Sequence, residues 1–217
     1  MASFCKSIIN NLNMFILPKI YPITDCRIAK LSHTEQVKKL IESGAEIIQL
    51  REKFATPKEF YEDAKNAVTI ANKANVKIII NDRVDIASAV KADGVHLGQD
   101  DLPPIYARKI LGENAIIGFS THTVKQAVEA IKLPVDYIAI GPIFATKTKE
   151  NPDETVGIKG LNDVKKAITD FPLVAIGGIT SENADEVLQF ADSIALISAI
   201  LDGSISENLR KFIESAK

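Results

Sequence analysis

Short apolar runs alternate with longer stretches of mixed polar and apolar residues from residue 19 onward. Eight of these runs are nearly continuous in apolar residues and end in Gly or a polar residue, which is typical of strands buried on both faces of a parallel sheet. The predicted strands are Ile20–Thr24, Glu46–Arg51, Lys77–Asn81, Gly94–Leu97, Ala115–Gly118, Tyr137–Gly141, Leu173–Gly177 and Ser193–Ile197.

The stretches between these runs carry helical patterns, of which the clearest are Glu35–Ser43, Pro57–Ala74 and Leu161–Thr169. The first has apolar residues at spacings of three and four, as an amphipathic helix requires. Thr56 followed by Pro57 is a helix cap with proline in the first turn. Strand and helix therefore alternate eight times in about 200 residues.

This alternation predicts an α/β fold, a single (β/α)8 TIM barrel over residues 19–217 with a short N-terminal extension at residues 1–18. A doubly wound open sheet is the competing architecture, but it usually carries a Gly-rich first turn, which residues 24–27 (TDCR) do not form. Asn residues interrupt the apolar segment Ser7–Leu17, so we interpret it as an extra helix or arm and not as a secretory signal.

Net charge, cysteine content and the length of apolar runs argue against several classes of protein. The 217 residues carry a net charge of −2, which argues against a general nucleic-acid binder. Only Cys5 and Cys26 are present, without metal-ligand spacing, so we expect a reduced, cytoplasmic protein. No apolar run approaches the ~18 residues of a membrane span. We expect small-molecule partners, and the sequence leaves a homo-oligomer open.

Polar residues follow nearly every predicted strand, at the end of the barrel where active sites lie. In the segment QLREK, Gln49, Arg51 and Lys53 stand at every second position, so they project to one face while Leu50 points the other way. Two cations and an amide make a clamp for an anion, because the Arg fork matches phosphate oxygens. A solvated edge strand is the alternative interpretation.

Asp82 and Asp101 follow the third and fourth predicted strands. Carboxylates without His or Cys partners suit Mg²⁺, which binds through one or two of them plus substrate phosphates. The alternative is that each Asp caps the helix that follows it. Asn81 adds a donor for the same anion, and Lys149 adds a cation in a long loop that is either a lid or a solvated surface loop.

The opposite side of the barrel mouth suggests a second anion site. Gly177 and Gly178 have no side chains, so the backbone can approach a ligand closely there. Ile197-Ser198 begins a turn whose backbone amides, together with a following short helix, could hold a phosphate. Two anionic groups facing each other imply that one is a leaving diphosphate, with Mg²⁺ and the cations stabilising its charge.

The chain resembles the thiamine-phosphate synthase family from residue 20 to residue 200. The resemblance is carried, in order and at compatible spacing, by the segments QLREK, NDRVDIA, ADGVHLGQDD, GFSTHT, GPIFATKTK, VAIGGI and ISAI. It implies a TIM barrel that joins a pyrimidine methyl diphosphate to a thiazole phosphate and releases diphosphate, with Mg²⁺ required. The implied reaction is dissociative, through a pyrimidine methyl cation.

The resemblance also implies residue roles. The residues that it implies bind the pyrimidine diphosphate are Gln49, Leu50, Arg51, Glu52, Lys53, Asn81, Ser120 and Lys149. Among these, it implies a catalytic role for Arg51, Lys53, Ser120 and Lys149. It implies that Asp82 and Asp101 bind Mg²⁺, with Asp100 as a possible further ligand. The residues that it implies bind the thiazole phosphate are Thr146, Lys147, Thr148, Gly178, Ile197 and Ser198.

Three other functions compete with the synthase. A sister family on the same barrel tautomerises the thiazole, a non-catalytic barrel could bind thiamine phosphate, and another phosphate-handling barrel would isomerise a phosphorylated metabolite. An isomerase has no leaving diphosphate to hold, so the intact clamp favours the synthase.

Among the histidines, we expect His33 at a helix start and His96 in the core. His122 is at a helix start or has a role at the mouth.

Overall fold

The structure is a computed structural model that describes residues 16–146 and 154–216. The described residues form eight parallel strands that pair in chain order, and the first strand also pairs with the last. The strands are β1 (Ile20–Thr24), β2 (Ile47–Leu50), β3 (Lys77–Asn81), β4 (Gly94–Leu97), β5 (Ile116–Thr121), β6 (Tyr137–Ile140), β7 (Leu173–Ile176) and β8 (Ser193–Leu196). This closed sheet confirms the predicted (β/α)8 barrel.

Ten helices in the described residues complete the barrel. They are α1 (Cys26–Ala29), α2 (His33–Glu42), α3 (Pro57–Lys73), α4 (Val84–Val90), α5 (Pro104–Leu111), α6 (Val124–Ala130), α7 (Gly157–Ile168), α8 (Ala184–Leu188), α9 (Ser198–Leu201) and α10 (Ile205–Ser215). The predicted cap of α3 is confirmed, because the Thr56 side chain accepts a hydrogen bond from the Glu59 amide. Within the part of the chain that the structure describes, no helix is long and apolar enough to cross a membrane.

The barrel has two apolar layers, and the alternation of side chains along each strand separates them. One layer lies between the strands and the helices and includes Leu50, Ile78 and Ile80. The other fills the barrel interior and includes Ile47, Ile79 and residues of five further strands. Leu17 packs in the interior layer, whereas residues 1–15 of the predicted extension lie outside the described residues.

The fifth strand is longer than the sequence pattern predicted. We predicted its end at Gly118, but β5 continues to Thr121, so Ser120 lies on the strand and not in the following loop. Gly118 is a packing position: a Cβ there would lie 2.1 Å from Tyr137 Cζ and 2.4 Å from His96 Nδ1. The glycine therefore makes room for two rings inside the barrel and does not end the strand.

Arg108 joins two connections at the amino-terminal end of the barrel. Its Nη1 donates to the carbonyl oxygens of Gly112, Glu113 and Ala115. Its Nη2 donates to Asp136 Oδ2 at 2.7 Å, and the same carboxylate oxygen accepts from the Ile117 amide. One buried guanidinium thus satisfies acceptors on both sides of β5.

We expect Arg108→Met to lower the free energy of unfolding by about 2–3 kcal/mol, because several partly buried acceptors lose their donor. Urea denaturation followed by circular dichroism measures the change. Lys132→Met is the matched control. Its ion pair with Glu129 is more than 60% exposed at both side chains, so its removal should cost less than about 0.5 kcal/mol. Equal losses in the two variants would contradict the assigned role of Arg108.

Candidate active site

Four polar side chains project into the barrel interior near the carboxyl ends of neighbouring strands. Gln49 pairs in register with Ile79, and Asn81 pairs with His96 on the next strand. Ser120 stands two residues beyond Gly118, the register partner of His96. Partners in a parallel ladder face the same side of the sheet, so β2 to β5 place these groups in one layer above the apolar interior.

Arg51 directly follows β2 and forms an ion pair beside the carboxyl end of β1. Its Nη1 donates to Asp25 Oδ2 at 2.7 Å, and both side chains are largely buried. The other oxygen of Asp25 accepts from the amides of Arg27 and Ile28 and so caps α1. The carboxylate is therefore fixed and orients the guanidinium. The sequence interpretation missed this partner, although Asp25 directly follows the first strand.

Lys53 turns to the other neighbouring strand, where its ammonium contacts the carboxylate of Asp82. β2 ends at Leu50, so the strict alternation predicted through Lys53 does not hold beyond that residue. Leu50 is fully buried against the helices, which leaves only its backbone for a ligand. Glu52 faces away from the mouth and contacts His33.

Asp82 and Asp101 lie close enough to influence each other. Burial, and then the neighbouring Asp82 carboxylate, raise the pKa of Asp101, while a hydrogen bond from the Gly98 amide to its Oδ2 at 2.7 Å opposes that rise. Neither residue caps a helix: α4 and α5 follow Arg83 and Pro103, and neither start has a side-chain cap. The alternative interpretation of both residues is therefore wrong. Two adjacent carboxylates in a partly buried mouth fit a hard divalent cation.

Asn81 carries an unsatisfied donor. The residue is 8% exposed, and its Nδ2 is buried without a hydrogen-bond partner among the described residues. A buried donor left unpaired costs about 1–3 kcal/mol, so such groups are rare unless a ligand or water uses them. The next residue, Asp82, has φ of 61°, a strained backbone conformation that is common at functional sites.

A hydrogen-bonded chain crosses the barrel interior from Gln49 to Ser120. Gln49 Nε2 donates to Tyr21 Oη at 3.2 Å, and the hydroxyls of Tyr21 and Tyr137 lie 2.9 Å apart. Tyr137 Oη lies 3.0 Å from His96 Nδ1, and His96 Nε2 lies 2.9 Å from Ser120 Oγ. The chain thus joins two predicted substrate-binding residues through side chains that the sequence interpretation assigned to no site.

The neutral ring of His96 lets this chain cross the barrel without a charge. Gln49 donates through Nε2 to Tyr21, because an amide nitrogen only donates. Burial lowers the pKa of His96 to about 4, so its ring is neutral at pH 7, with one nitrogen that donates and one that accepts. One ring nitrogen faces Tyr137 and the other faces Ser120, so the imidazole connects the two hydroxyls.

The other side of the mouth is formed by the ends of β7 and β8. Gly177 and Gly178 have φ of 102° and 65°. A Cβ at either position would meet protein atoms of Pro142 or Phe144 within 2.7 Å. The described structure therefore explains both glycines by packing against the preceding loop, and their predicted contact with a ligand stays a prediction.

The remaining predicted residues divide between the described and the undescribed chain. Ile197 precedes the four-residue helix α9, which begins at Ser198 as the sequence suggested. Thr146 is the last described residue before a gap, and Lys147, Thr148 and Lys149 lie outside the described residues. His122 lies before α6, where its Nδ1 donates to the Gly141 carbonyl oxygen at 2.7 Å and its amide to Gln126.

Comparisons with known proteins agree with this geometry. A sequence model of the family described as thiamine monophosphate synthase matches residues 20–200. A thiamine-phosphate synthase of Clostridium novyi is 47% identical over 185 residues, which cover 84% of this chain and 90% of that protein. A solved thiamine phosphate pyrophosphorylase from Pyrococcus furiosus superposes with a TM-score of 0.81 at 37% identity, covering 90% and 94% of the two chains.

A phosphoribosyl anthranilate isomerase from Thermotoga maritima superposes with a TM-score of 0.67 at 15% identity, covering 92% of this chain and 98% of that one. That likeness concerns the barrel fold alone. The family match spans all eight strands and both sides of the mouth, and it agrees with the resemblance seen in the sequence. The chain belongs to the thiamine monophosphate synthase family.

Proposed function

We propose that the chain makes thiamine phosphate by joining 4-amino-2-methyl-5-(diphosphooxymethyl)pyrimidine to a thiazole phosphate, with release of diphosphate. The observation that carries the proposal is the meeting of Arg51, Lys53, the unpaired amide of Asn81 and the two carboxylates at one barrel mouth. Membership of the family, and relatives named for this activity, support the same reaction.

The diphosphate would lie against β2 and β3. Arg51 and Lys53 are held by Asp25 and Asp82 before a substrate arrives, so both cations are already positioned and little side-chain entropy remains to be lost. The Asn81 amide would gain its first acceptor from a phosphate oxygen. Lys149 would add a further cation from the loop after β6.

Asp82 and Asp101 would hold Mg²⁺, which when bound would neutralise part of the diphosphate charge. The two carboxylates offer hard oxygen ligands, and the raised pKa of Asp101 reflects burial and a neighbouring anion that a cation would offset. Asp100, directly before Asp101, is the candidate for an additional ligand.

The pyrimidine ring would lie at the end of the hydrogen-bonded chain, against Ser120. Ser120 Oγ lies 2.9 Å from His96 Nε2, and a hydroxyl both donates and accepts, so Ser120 could contact a ring nitrogen while it keeps its contact with His96. The bond between the pyrimidine methylene and the diphosphate oxygen breaks, and its electron pair leaves with diphosphate. The lone pair of the thiazole nitrogen then forms the new carbon–nitrogen bond.

The thiazole phosphate would lie on the side of β7 and β8. Its proposed contacts are Thr146, Lys147, Thr148, Gly178, Ile197 and Ser198. This arrangement places the nucleophilic ring across the mouth from the leaving group, and the cation formed between them needs no general base. The proposal also includes a location in the cytoplasm and small-molecule partners only, with a homo-oligomer left open.

We expect the purified chain to form thiamine phosphate only when both substrates and Mg²⁺ are present, as followed by chromatography with mass detection. EDTA should abolish product formation, and excess Mg²⁺ should restore it. Product formed without a divalent cation would contradict the role of Asp82 and Asp101. A folded chain that tautomerises the thiazole, or binds thiamine phosphate without turnover, would contradict the synthase reaction.

We expect Arg51→Ala to lower kcat/KM for the pyrimidine diphosphate by at least about 100-fold, because a donor to developing charge is lost. Arg51→Lys should fall between this variant and the wild type, since it keeps the charge but not the fork. Lys77→Ala removes another ion pair, Lys77–Asp93, at the opposite end of the barrel and should leave kcat/KM unchanged. Full activity in a folded Arg51→Ala variant would refute the clamp.

We expect Asn81→Ala to raise KM for the pyrimidine diphosphate by about 10-fold while the free energy of unfolding changes by less than about 1 kcal/mol. The reason is that the Nδ2 donor is unsatisfied without substrate and is used only in the complex. Ser193→Ala is the matched control, because the Ser193 hydroxyl is also buried and unpaired among the described residues but lies at the far end of β8. A KM unchanged by Asn81→Ala would exclude the proposed contact.

A further inference from the structure

We infer that Cys26, His33 and Glu52 form a second metal site, for a cation of the zinc class, outside the carboxylate pair at the barrel mouth. Cys26 begins α1, His33 begins α2, and Glu52 follows β2. One thiol, one imidazole and one carboxylate ligand atom all lie within 4.8 Å of one another. The inference rests on these three side chains and does not depend on the proposed reaction.

The spacing of two of the ligand atoms matches a tetrahedral site. His33 Nε2 and Glu52 Oε2 lie 3.3 Å apart, which is long for a charge-assisted hydrogen bond of about 2.7–2.9 Å. Two ligands bound to Zn²⁺ at about 2.0–2.2 Å with a tetrahedral angle are separated by roughly 3.3–3.5 Å. The two atoms therefore already stand at ligand spacing, and the thiol needs only a short approach to complete a third position.

The contacts of His33 show which of its ring nitrogens faces the site. His33 Nδ1 lies 2.7 Å from Thr24 Oγ1, which leaves Nε2 as the ring nitrogen that faces an oxygen of Glu52. Burial lowers the pKa of His33, so the ring is neutral at pH 7 and can offer a lone pair to a cation. A cation between Nε2 and the Glu52 oxygen would bind both atoms.

Hydrogen bonds from neighbouring groups also orient the proposed ligands, as is usual for metal ligands. Glu52 Oε1 accepts from the amides of Phe54 and Ala55 at 2.7 and 3.0 Å, which leaves Oε2 for the site. Burial alone would raise the pKa of Glu52, but these amide donors outweigh it and hold that pKa below its usual range. The carboxylate is therefore ionised and fixed at neutral pH.

The thiol decides which cations fit. Burial, followed by the charges of Glu52 and Asp63, raises the pKa of Cys26 to about 12, so the metal-free side chain is a thiol. The same negative surroundings favour a cation, which would displace the thiol proton on binding. Thiolate and imidazole together select Zn²⁺ or Co²⁺ over Mg²⁺. A water molecule would complete the tetrahedron.

A metal here would tie the β2–α3 connection to the starts of α1 and α2. We expect the full-length chain, stripped with a chelator and desalted, to bind one Zn²⁺ in isothermal titration calorimetry with saturating Mg²⁺ present. Co²⁺ should give a thiolate charge-transfer band, and Zn²⁺ should raise the melting temperature. Absence of Zn²⁺ binding under these conditions would overturn the inference.

Cys26→Ser should weaken Zn²⁺ binding at least about 10-fold and abolish the charge-transfer band, because the thiolate ligand is lost. Cys5→Ser, at the only other cysteine of the chain, is the matched control and should change neither. A band that survives Cys26→Ser or disappears in Cys5→Ser would overturn the inference. X-ray absorption of the zinc-loaded wild type needs no variant: one sulfur among nitrogen and oxygen ligands is expected, and a sulfur-free shell would contradict the site.

Discussion

Closure of the sheet into a barrel determines which side chains of each strand point into the barrel interior. The layer of polar side chains at the candidate active site depends on this constraint. Because side chains alternate, placing Ile47 and Ile79 in the apolar interior also places Gln49 and Asn81 in the layer above them. Buried polar groups are costly unless they are hydrogen-bonded. The chain from Gln49 to Ser120 meets that requirement, and Gly118 provides the space for it.

Two cations at the mouth are paired with carboxylates before any substrate is present. Arg51 and Lys53 are paired with Asp25 and Asp82, which lie after the strands on either side of β2. An anionic substrate would add phosphate oxygens to cations that these carboxylates already hold in position. The Asn81 Nδ2 donor is different, because it has no internal partner among the described residues. Its cost in the free protein is consistent with a role that appears only in a complex.

The sequence predicted the barrel and the end of the barrel that carries polar groups, because strand composition and residues directly after strands are local signals. It misplaced the end of β5, since a glycine that makes room for rings resembles a glycine that ends a strand. The contact between Tyr21 and Tyr137 joins residues 116 positions apart. Such a contact depends on the register of several strands, which no short pattern contains.

The two proposed metal sites can lie close together because neighbouring residues face different ways. Lys53 contacts Asp82 at the mouth, whereas Glu52 turns toward His33 behind β1 and β2. The carboxylate pair offers only hard oxygen ligands, which suit Mg²⁺, whereas the second cluster also offers sulfur and nitrogen, which suit Zn²⁺. A metal bound to Glu52 would restrain the residue between Arg51 and Lys53. Occupancy of the second site would therefore stabilise the backbone that carries both clamp cations without placing charge on the diphosphate.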